Sequence, residues 1–312
     1  MDSQDFQEWL SAASGLTRAQ RREALAVLFG RSEGEASKAA IELAVDEARR
    51  CPHCATEGAV SRGHARGLRR YQCKGCGRTF NALTGTPLSG LHHRERWLSF
   101  GDSLAKGETV KASAERCGVA ASTAFRWRHR FLAAARGGSG VLKGIVEADE
   151  TYVLESRKGA RGLGRKARRR GGKAKKRGLS REQVPVLMAV DRGGTTFSAV
   201  LPRVDATALT AALDPVLARD ALLVSDGGAS YPPCATALGV SHESLNRSIG
   251  ERVRGDLHVQ TVNSRHSRWK DFLRPRRGVA TRYLDNYLSW FHLVGLTPGA
   301  NDRACLAAAV MR

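Results

Sequence analysis

The chain lacks any apolar run long enough to cross a bilayer, although 42% of its residues are hydrophobic. A transmembrane helix needs about 20 consecutive apolar residues, so we expect a soluble protein. No secretory signal precedes the first cysteines, Cys51 and Cys54, and the three cysteines after residue 80 occur singly. These absences argue against an exported disulfide scaffold and predict reduced thiols in the cytoplasm.

Acidic residues are also scarce, because 30 Asp and Glu stand against 51 Lys and Arg, for a formal net charge of +21. Residues 157–181 contain thirteen Lys or Arg and no acid, whereas residues 1–50 are slightly acidic. Such an excess attracts a polyanion, usually nucleic acid. The basic segment is predicted to be disordered alone and to bind a DNA backbone, although a solvated surface is the simpler interpretation. The candidate contacts are Arg168, Arg169, Arg170, Lys173, Lys175 and Lys176.

Four cysteines are present in two close pairs, Cys51-x2-Cys54 and Cys73-x2-Cys76, with eighteen residues between the pairs. Two such knuckles joined by a hairpin provide the four ligands of a tetrahedral Zn²⁺ ion. A ribbon this small buries too little apolar surface to fold unaided, so metal binding would drive its folding. Disulfides or reactive thiols are the alternatives, and a structural zinc ribbon over residues 50–82 is the prediction.

Residues 83–140 are predicted to form a helical DNA-binding region. Thr109 to Phe131 has the pattern of a helix-turn-helix, in which Gly118 supplies the sharp turn between two helices. Small polar residues near the start of the second helix and arginines further along suit a helix in the major groove. The candidate contacts are Ser122, Thr123, Arg126, Arg128 and Arg130. An ordinary helical hairpin is the alternative.

The remaining elements predict a multidomain α+β protein whose last large domain is a mixed sheet flanked by helices. Residues 4–29 and 35–49 are predicted as amphipathic helices in an N-terminal helical segment, 1–49. In chain order the later predicted elements are strands 144–153, 184–191 and 195–201, helix 205–218, strand 221–226, helix 229–238, edge strand 240–246 and helices 259–273 and 280–294. These form a catalytic domain over 141–298, with the basic insert at 155–182 and a C-terminal tail at 299–312.

Two aspartates, Asp149 and Asp226, each lie near the C-terminal end of a predicted strand. If these strands are neighbours, the two carboxylates meet at one edge of the sheet. Hard oxygen ligands there suit Mg²⁺ or Mn²⁺, the ions of phosphoryl transfer. A turn cap is the more common role of a single strand-end Asp, so the interpretation depends on the pair.

A third ligand is expected from a helix that crosses the same edge. Asn263, His266 and Lys270 lie at i, i+3 and i+7, which is one face of a helix. His266 could bind a metal or position a water, and Lys270 could hold a phosphate. Glu150 is predicted to face the other side of the sheet. Glu243 and Asp256 are possible substitutes.

Several motifs together resemble the bacterial insertion-sequence transposases of the ISXO-like DDE group with an N-terminal zinc ribbon. They are the two cysteine knuckles, Thr79-Phe80, residues 83–87, Glu147 to Val153, Ser225-Asp226-Gly227 and residues 283–291. The resemblance implies a ribonuclease-H-like catalytic domain, two divalent ions, and cleavage and joining of DNA at terminal inverted repeats. It also implies a homo-oligomer in a synaptic complex with element ends and target DNA, in a bacterial nucleoid. Asp149 and Asp226 match the family's first two acids.

One position departs from the family pattern, since His266 stands where a glutamate is expected. An imidazole donates less negative charge to a metal than a carboxylate does. The site would then favour a different ion, work as a His variant, or belong to an inactive copy. A non-catalytic DNA-binding regulator and a nuclease without strand transfer are the alternatives to a transposase.

Overall fold

The computed structural model describes residues 2–17, 20–21, 24, 33–45, 47–134, 140–164, 166, 168, 172, 174–176, 180–245, 249–296 and 301–310. The chain divides into two units, of which one comprises residues 1–135 with 297–312 and the other residues 136–296. Within the described residues, no helix combines the length and the apolar character that crossing a membrane requires.

The N-terminal segment begins with helix α1, Ser3–Ala13, followed by helix α2, Glu33–Glu42. The predicted helix 4–29 is interrupted, because α1 ends at Ala13 and residues 14–17 are not helical, whereas Gln20, Arg21 and Ala24 are helical again. Residues 18–19, 22–23 and 25–32 lie outside the described part of the chain. Asp2 caps α1, since its carboxylate accepts from the backbone N–H groups of Gln4 and Asp5, both at 2.8 Å.

The predicted ribbon is an antiparallel sheet of strands β1, Val60–Ala65, β2, Leu68–Gln72, and β3, Thr79–Phe80. Arg66 and Gly67 have positive φ angles of 50° and 79°, the conformation that a two-residue hairpin requires. Tyr71 stacks on Phe80 with 5.5 Å between ring centroids. Few other buried side chains support this sheet.

The helix-turn-helix is formed by helices α3, Trp97–Ala105, α4, Val110–Cys117, and α5, Ala121–Ala134. Thr109 caps α4 through its side chain, and Gly118 ends α4 with a φ angle of 57°. The core contains Trp97, Phe100, Trp127 and Phe131, which pack edge to face. The predicted turn at Gly118 is confirmed.

The C-terminal segment is not the tail that the sequence predicted. It forms helix α10, Asp302–Val310, whose Cys305, Leu306 and Ala309 are buried. The backbone of Asp302 lies against Gly101 of α3, where a Cβ atom would come within 2.5 Å of the Asp302 carbonyl oxygen. The tail prediction was wrong because the apolar side chains of α10 pack against α3 and α5, which lie far earlier in the chain.

The second unit contains a five-stranded sheet in the order β6-β5-β4-β7-β8. Its strands are β4, Ile145–Leu154, β5, Gln183–Asp191, β6, Thr196–Val200, β7, Leu222–Ser225, and β8, Ser241–Ser244. Strands β4, β5 and β6 pair antiparallel, whereas β7 is parallel to both β4 and β8. This mixed order is that of a ribonuclease-H-like domain, as the resemblance implied, and all five predicted strands are confirmed.

Helices cover both faces of this sheet. Helices α6, Ala206–Leu213, and α7, Tyr231–Leu238, share an apolar core with alternate residues of β4, β5 and β7. A short hairpin of β9, Val253–Arg254, and β10, Leu257–His258, precedes helix α8, Gln260–Leu273. Helix α9, Leu284–Trp290, follows and continues as a π-helix over Phe291–Leu296. Aromatic contacts join α8 to this last segment, and the ring centroids of Trp269 and Phe291 are 5.4 Å apart.

The basic insert lies between β4 and β5. Its described residues include 155–164, Lys166, Arg168 and 174–176. The expectation of disorder for the others, among them Arg169, Arg170 and Lys173, falls outside the described residues.

The buried Arg128 of α5 generates a stability prediction. Its guanidinium donates to the Glu108 carbonyl oxygen at 2.7 Å and to Ser113 Oγ at 3.0 Å, and only 3% of the residue is exposed. We expect Arg128→Ala to destabilise the helix-turn-helix by about 2 kcal/mol, because two buried acceptors lose their donor. Hydrogen exchange of the α4 amides, measured by mass spectrometry, should become at least about tenfold faster.

Arg126→Ala, on the exposed side of the same helix, is the matched control and should leave this exchange rate unchanged. Equal rates for the two variants would show that Arg128 does not hold α4 and α5 together.

Candidate active site

Asp149 lies within β4, and Asp226 directly follows the adjacent strand β7. Parallel pairing sets Val146 beside Leu223 and Glu147 beside Val224, and the two aspartates each lie two residues further along the chain than this last pair. Because side chains alternate along a strand, Asp149 of β4 lies on the face opposite to Val146, which belongs to the apolar core. The charges of both aspartates also contribute to raising the pKa of Tyr152, after burial and Glu150. The predicted strand-end position holds for Asp226, whereas Asp149 lies in the middle of β4 because this strand continues to Leu154 in its pairing with β5.

His266 of α8 faces the first aspartate. Its Nδ1 atom lies 3.8 Å from Asp149 Oδ2, and only 6% of the residue is exposed. Burial, followed by the charge of Lys270, lowers the pKa of His266 to about 4, against a small opposing contribution from Asp149. The imidazole is therefore neutral near pH 7, so its contact with Asp149 is not an ion pair. Its Nε2 atom is buried and has no hydrogen-bond partner within the described structure.

The three predicted residues of α8 line one cleft of about 440 Å³ together with Asp149. Asn263 donates through its side-chain amide to the Val259 carbonyl oxygen at 2.7 Å. Lys270 has no acidic partner within 4 Å in the described part of the chain. Asp226 does not line this cleft. Among the described residues, only the four cysteines form a group of three or more potential ligands close enough to hold an ion.

Glu147 is a residue of this site that the sequence reasoning missed. It is fully buried on β4, two residues before Asp149 and on the same face. Its Oε2 atom accepts from the backbone N–H of Val262 in the first turn of α8 at 2.9 Å. Its Oε1 atom contacts the guanidinium of Arg192 and lies 3.1 Å from His258 Nδ1. Glu147 thus fixes the start of the helix that carries Asn263, His266 and Lys270, and a charged residue inside an apolar strand was the signal for it.

Glu150 faces the other side of the sheet, as expected. Its Oε1 atom accepts from the Tyr231 hydroxyl of α7 at 2.7 Å. Burial raises the pKa of Glu150, and the charge of Asp226 adds to this, against the Tyr231 hydrogen bond. The two substitute candidates lie elsewhere: Glu243 forms an ion pair with Arg254 at 2.9 Å, and Asp256 lies in the turn between β9 and β10.

The predicted DNA contacts of α5 divide into two groups. Ser122 and Arg126 are exposed and Thr123 is half-buried. Arg128 is a correction, because its guanidinium is buried against α4 and is not available to a groove. Arg130 is exposed, but its guanidinium already donates to the carbonyl oxygens of Pro87 and Ser89, the latter at 3.0 Å.

The described cations of the insert also differ from one another. Lys175 and Lys176 are exposed, and Lys176 lines the cleft of Asp149. Arg168 is half-buried and lies 3.7 Å from the carboxylate of Glu155 and 3.6 Å from that of Glu182. Lys175 and Lys176 are therefore better placed for a phosphate than Arg168.

The four cysteines of the ribbon converge, with all sulfur atoms within 4.8 Å of one another. Cys51 Sγ is 3.8 Å from Cys76 Sγ, and Cys54 Sγ is 3.5 Å from Cys73 Sγ. A tetrahedral ion with Zn–S bonds of about 2.3 Å places its sulfur ligands roughly 3.8 Å apart. A disulfide bond is only about 2.05 Å long. The cluster could therefore hold a metal such as zinc, and none of the four is in a disulfide.

Comparison with known proteins agrees with this geometry. A family model described as an ISXO2-like transposase domain matches residues 141–292, and one described as a homeodomain-like domain matches residues 93–138. A Halobacterium salinarum (strain ATCC 700922 / JCM 11081 / NRC-1) protein, described as an uncharacterized protein in transposable element ISH50, is 34% identical over 250 residues. The match covers 78% of this chain and 84% of that protein.

Two crystal structures are also similar in part, a pre-cleavage Mos1 transpososome and the Mos1 strand transfer complex. Their sequence identities are 13% and 14%, each match covers 66% of this chain, and the matches cover 75% and 74% of the Mos1 chains. The TM-scores of 0.24 and 0.25 are too low for these likenesses to carry weight. The halobacterial relative and the matched domain models are sufficient: the chain belongs to the ISXO2-like transposases of insertion sequences.

Proposed function

We propose that this protein cleaves DNA at the terminal inverted repeats of an insertion sequence and joins the freed ends to target DNA. The observation that carries this proposal is that Asp149 and Asp226 each lie two residues beyond Glu147 and Val224, the last paired residues of the adjacent parallel strands β4 and β7. Two neighbouring carboxylates suit divalent cations, because a cation between them offsets the repulsion of their like charges.

Asp149 and Asp226 would hold Mg²⁺ or Mn²⁺, with His266 as the third ligand. When bound, two such ions activate an attacking oxygen and stabilise the leaving one in phosphoryl transfer. The buried, unpartnered Nε2 atom of a neutral His266 fits this role, since a metal ligand must be an unprotonated nitrogen. The three side chains do not form a closed cage, which fits an ion that takes further ligands from water and substrate phosphates.

The other residues of the cleft act on the DNA strand. Lys270 lies one helical turn beyond His266 and lines the same cleft. It has no acidic partner in the described chain, so its ammonium group would hold a phosphate oxygen. The side-chain N–H of Asn263 donates to the Val259 carbonyl oxygen. The side-chain oxygen of Asn263 would then accept a hydrogen bond from an attacking water or hydroxyl. Glu147 holds both residues at the required distance from Asp149 through the first turn of α8.

The reaction would take place in two displacements. Water attacks the phosphodiester at the element end, the P–O bond to the 3′ oxygen breaks, and a 3′-hydroxyl leaves. This hydroxyl then attacks a phosphodiester of the target, which joins the element to it and releases a target 3′-hydroxyl. The two displacements need element ends and target DNA together, so we expect a homo-oligomer in a synaptic complex.

The N-terminal unit would recognise the element ends. Ser122, Thr123 and Arg126 of α5 present polar side chains to a groove, and the cysteine ribbon, with Zn²⁺ bound, would contact adjacent DNA. Lys175 and Lys176 of the insert add sequence-independent phosphate contacts.

The carboxylate pair can be tested directly. Asp149→Asn and Asp226→Asn should each reduce cleavage and strand transfer by about 10³-fold or more, because Asn cannot supply the negative charge that the ions require. Purified protein is incubated with an inverted-repeat duplex in Mg²⁺ or Mn²⁺, and nicked and joined products are separated on a denaturing gel.

Asp220→Asn changes an exposed aspartate of the same unit and should leave the activity unchanged. Full activity of either active-site variant would overturn the proposal, as would tight end binding of the wild type with no nicking. Nicking without joined products would instead favour the nuclease.

The third ligand can be tested by changing its chemistry. Imidazole is a softer ligand than carboxylate, and Mg²⁺ strongly prefers oxygen. We expect His266→Glu to lower the ratio of Mn²⁺-supported to Mg²⁺-supported cleavage by about tenfold. Initial rates are measured across a titration of each ion on the same preparation, and an unchanged ratio would exclude His266 as a ligand.

The ribbon metal gives a further prediction. Elemental mass spectrometry should find one zinc per chain, and Cys73→Ser should abolish it, because three thiolates hold the ion far less tightly than four. Cys117→Ser removes a buried cysteine of α4 and should retain the zinc. Zinc retained in Cys73→Ser, or an intact-mass loss that indicates disulfides, would contradict the assignment.

A further inference from the structure

A second, larger cavity of about 950 Å³ lies in the catalytic unit. It is bounded by the end of β4, the first residues of the basic insert, and the C-terminal turns of α8 with the loop that follows. Tyr152 and Lys270 line both this cavity and the cleft of Asp149. The two spaces therefore adjoin, yet the proposed cleavage site makes no use of the larger one.

The lining of the cavity is strongly cationic. Six cationic side chains and one carboxylate, that of Glu155, contribute to it; the cations are Arg157, Lys158, Arg168, Lys270, Arg274 and Arg277. Lys158 Nζ donates to the Gly278 carbonyl oxygen at 3.0 Å, which ties the insert to the loop after α8. Arg277 is exposed and has no acidic partner in the described part of the chain. Arg157 and Arg168 form ion pairs with Glu155, and Arg274 forms one with Asp271, so the net positive charge comes from Lys158, Lys270 and Arg277. This remaining positive charge favours an anionic occupant.

The cavity also has an apolar surface, formed by Leu154, Leu163, Leu273 and Val279. A phosphate or a free metabolite anion gains little from such a surface, whereas the face of an unstacked base gains a large nonpolar contact. The volume corresponds to a cube roughly 10 Å on edge. A whole B-form duplex does not fit into this space, because its major groove alone is about 12 Å wide. Volume and lining together suit one or two unpaired nucleotides and exclude a duplex.

The backbone of the rim has an uncommon conformation. Arg277 has a φ angle of 49°, in the left-handed region, and Gly278 follows with 89°. A non-glycine residue in this region carries a conformational free-energy cost, and such residues are concentrated at ligand-binding positions. The bend ends the short 3₁₀-helix Arg274–Arg276 and directs the chain to Val279 at the cavity.

We infer that this cavity binds one or two unpaired nucleotides of the DNA strand beside the phosphate that is cleaved, and this inference rests on the proposed function. Lys270 follows His266 by one helical turn, about 6 Å along α8, so the junction of the two spaces lies about one nucleotide from the Asp149–His266 pair. A base that leaves the helix stack at the element end enters between Leu273 and Val279, and its phosphates contact Lys270 and Arg277.

The test compares short duplexes of one sequence that end either blunt or in two unpaired thymidines, with 3′ and 5′ tails made separately. The full-length protein is titrated without divalent ions, so binding is measured by fluorescence anisotropy and no cleavage occurs. We expect one tailed duplex to bind about tenfold more tightly than the blunt one, the gain from roughly one buried base. Photo-crosslinking of 4-thiothymidine in that tail should label the peptides of residues 152–163 or 273–279.

Two variants locate the effect. Val279→Trp fills the cavity and Arg277→Glu reverses a charge on its rim. Both should abolish the preference for tails, and Arg277→Glu should lower blunt-end affinity no more than Arg282→Glu does. Arg282→Glu makes the same charge reversal at an exposed position that does not line the cavity, and it should keep the preference. If Val279→Trp does not fold, the pair Arg277→Glu and Arg282→Glu decides.

Equal affinity for tailed and blunt ends, crosslinks only elsewhere, or a preference that survives both cavity variants would overturn the inference. Because this assay requires no cleavage, its result is separate from that of the carboxylate variants. We expect Asp149→Asn to lose cleavage and to keep the tail preference. If the wild type cleaves DNA but shows no tail preference, the catalytic proposal stands and the cavity does not bind unpaired nucleotides.

Discussion

The carboxylate of Glu147 is the interaction on which the catalytic unit depends. It is fully buried, and its charge is balanced by Arg192 of the β5–β6 turn, by His258 of β10 and by the first-turn N–H of Val262. Burying an ion without such partners costs several kcal/mol, so the three contacts are tightly constrained in position. One side chain thus joins the sheet, a turn, a hairpin and α8. Since α8 carries His266 and Lys270, the distance of these residues from Asp149 follows from a contact two residues along the same strand.

The N-terminal unit has a corresponding buried ion in Arg128. Its guanidinium spans from α5 to α4 and to the Glu108 carbonyl oxygen, and thereby sets the angle between the two helices of the turn. The orientation of the exposed Ser122 and Arg126, which the proposed function assigns to DNA contact, depends on this angle. The cysteine ribbon in the same unit has few buried side chains, so a metal ion bound by its four converging sulfurs would be the principal source of its stability. The helix-turn-helix thus combines an aromatic core with the buried hydrogen bonds of Arg128, whereas the ribbon has few buried side chains besides its cysteines.

Some features followed directly from local sequence pattern. The five strands of the sheet, the glycine turn at Gly118 and the cysteine knuckles were predicted within a few residues, because each depends on neighbours along the chain. The role of Arg128 could not be predicted, since exposed and buried arginines alternate within one run, Arg126 to Arg130, and only packing separates them. Helix α10 was missed for a similar reason: the helices that bury Cys305 and Leu306 belong to residues 97–134.

The sequence alone determined which chemical groups the protein possesses and which strands carry them. Residue types and spacing predicted a four-cysteine cluster, a pair of carboxylates on two strands and a helix face with Asn263, His266 and Lys270, because ligand chemistry is a property of the side chain itself. Tertiary structure alone decided their distances and charge states. Burial makes His266 neutral, the parallel pairing of β4 and β7 brings the segments of Asp149 and Asp226 together, and Glu147 determines where α8 begins. These depend on desolvation and on contacts between distant residues, such as Glu147 and Val262 at 115 positions apart, which no local pattern encodes.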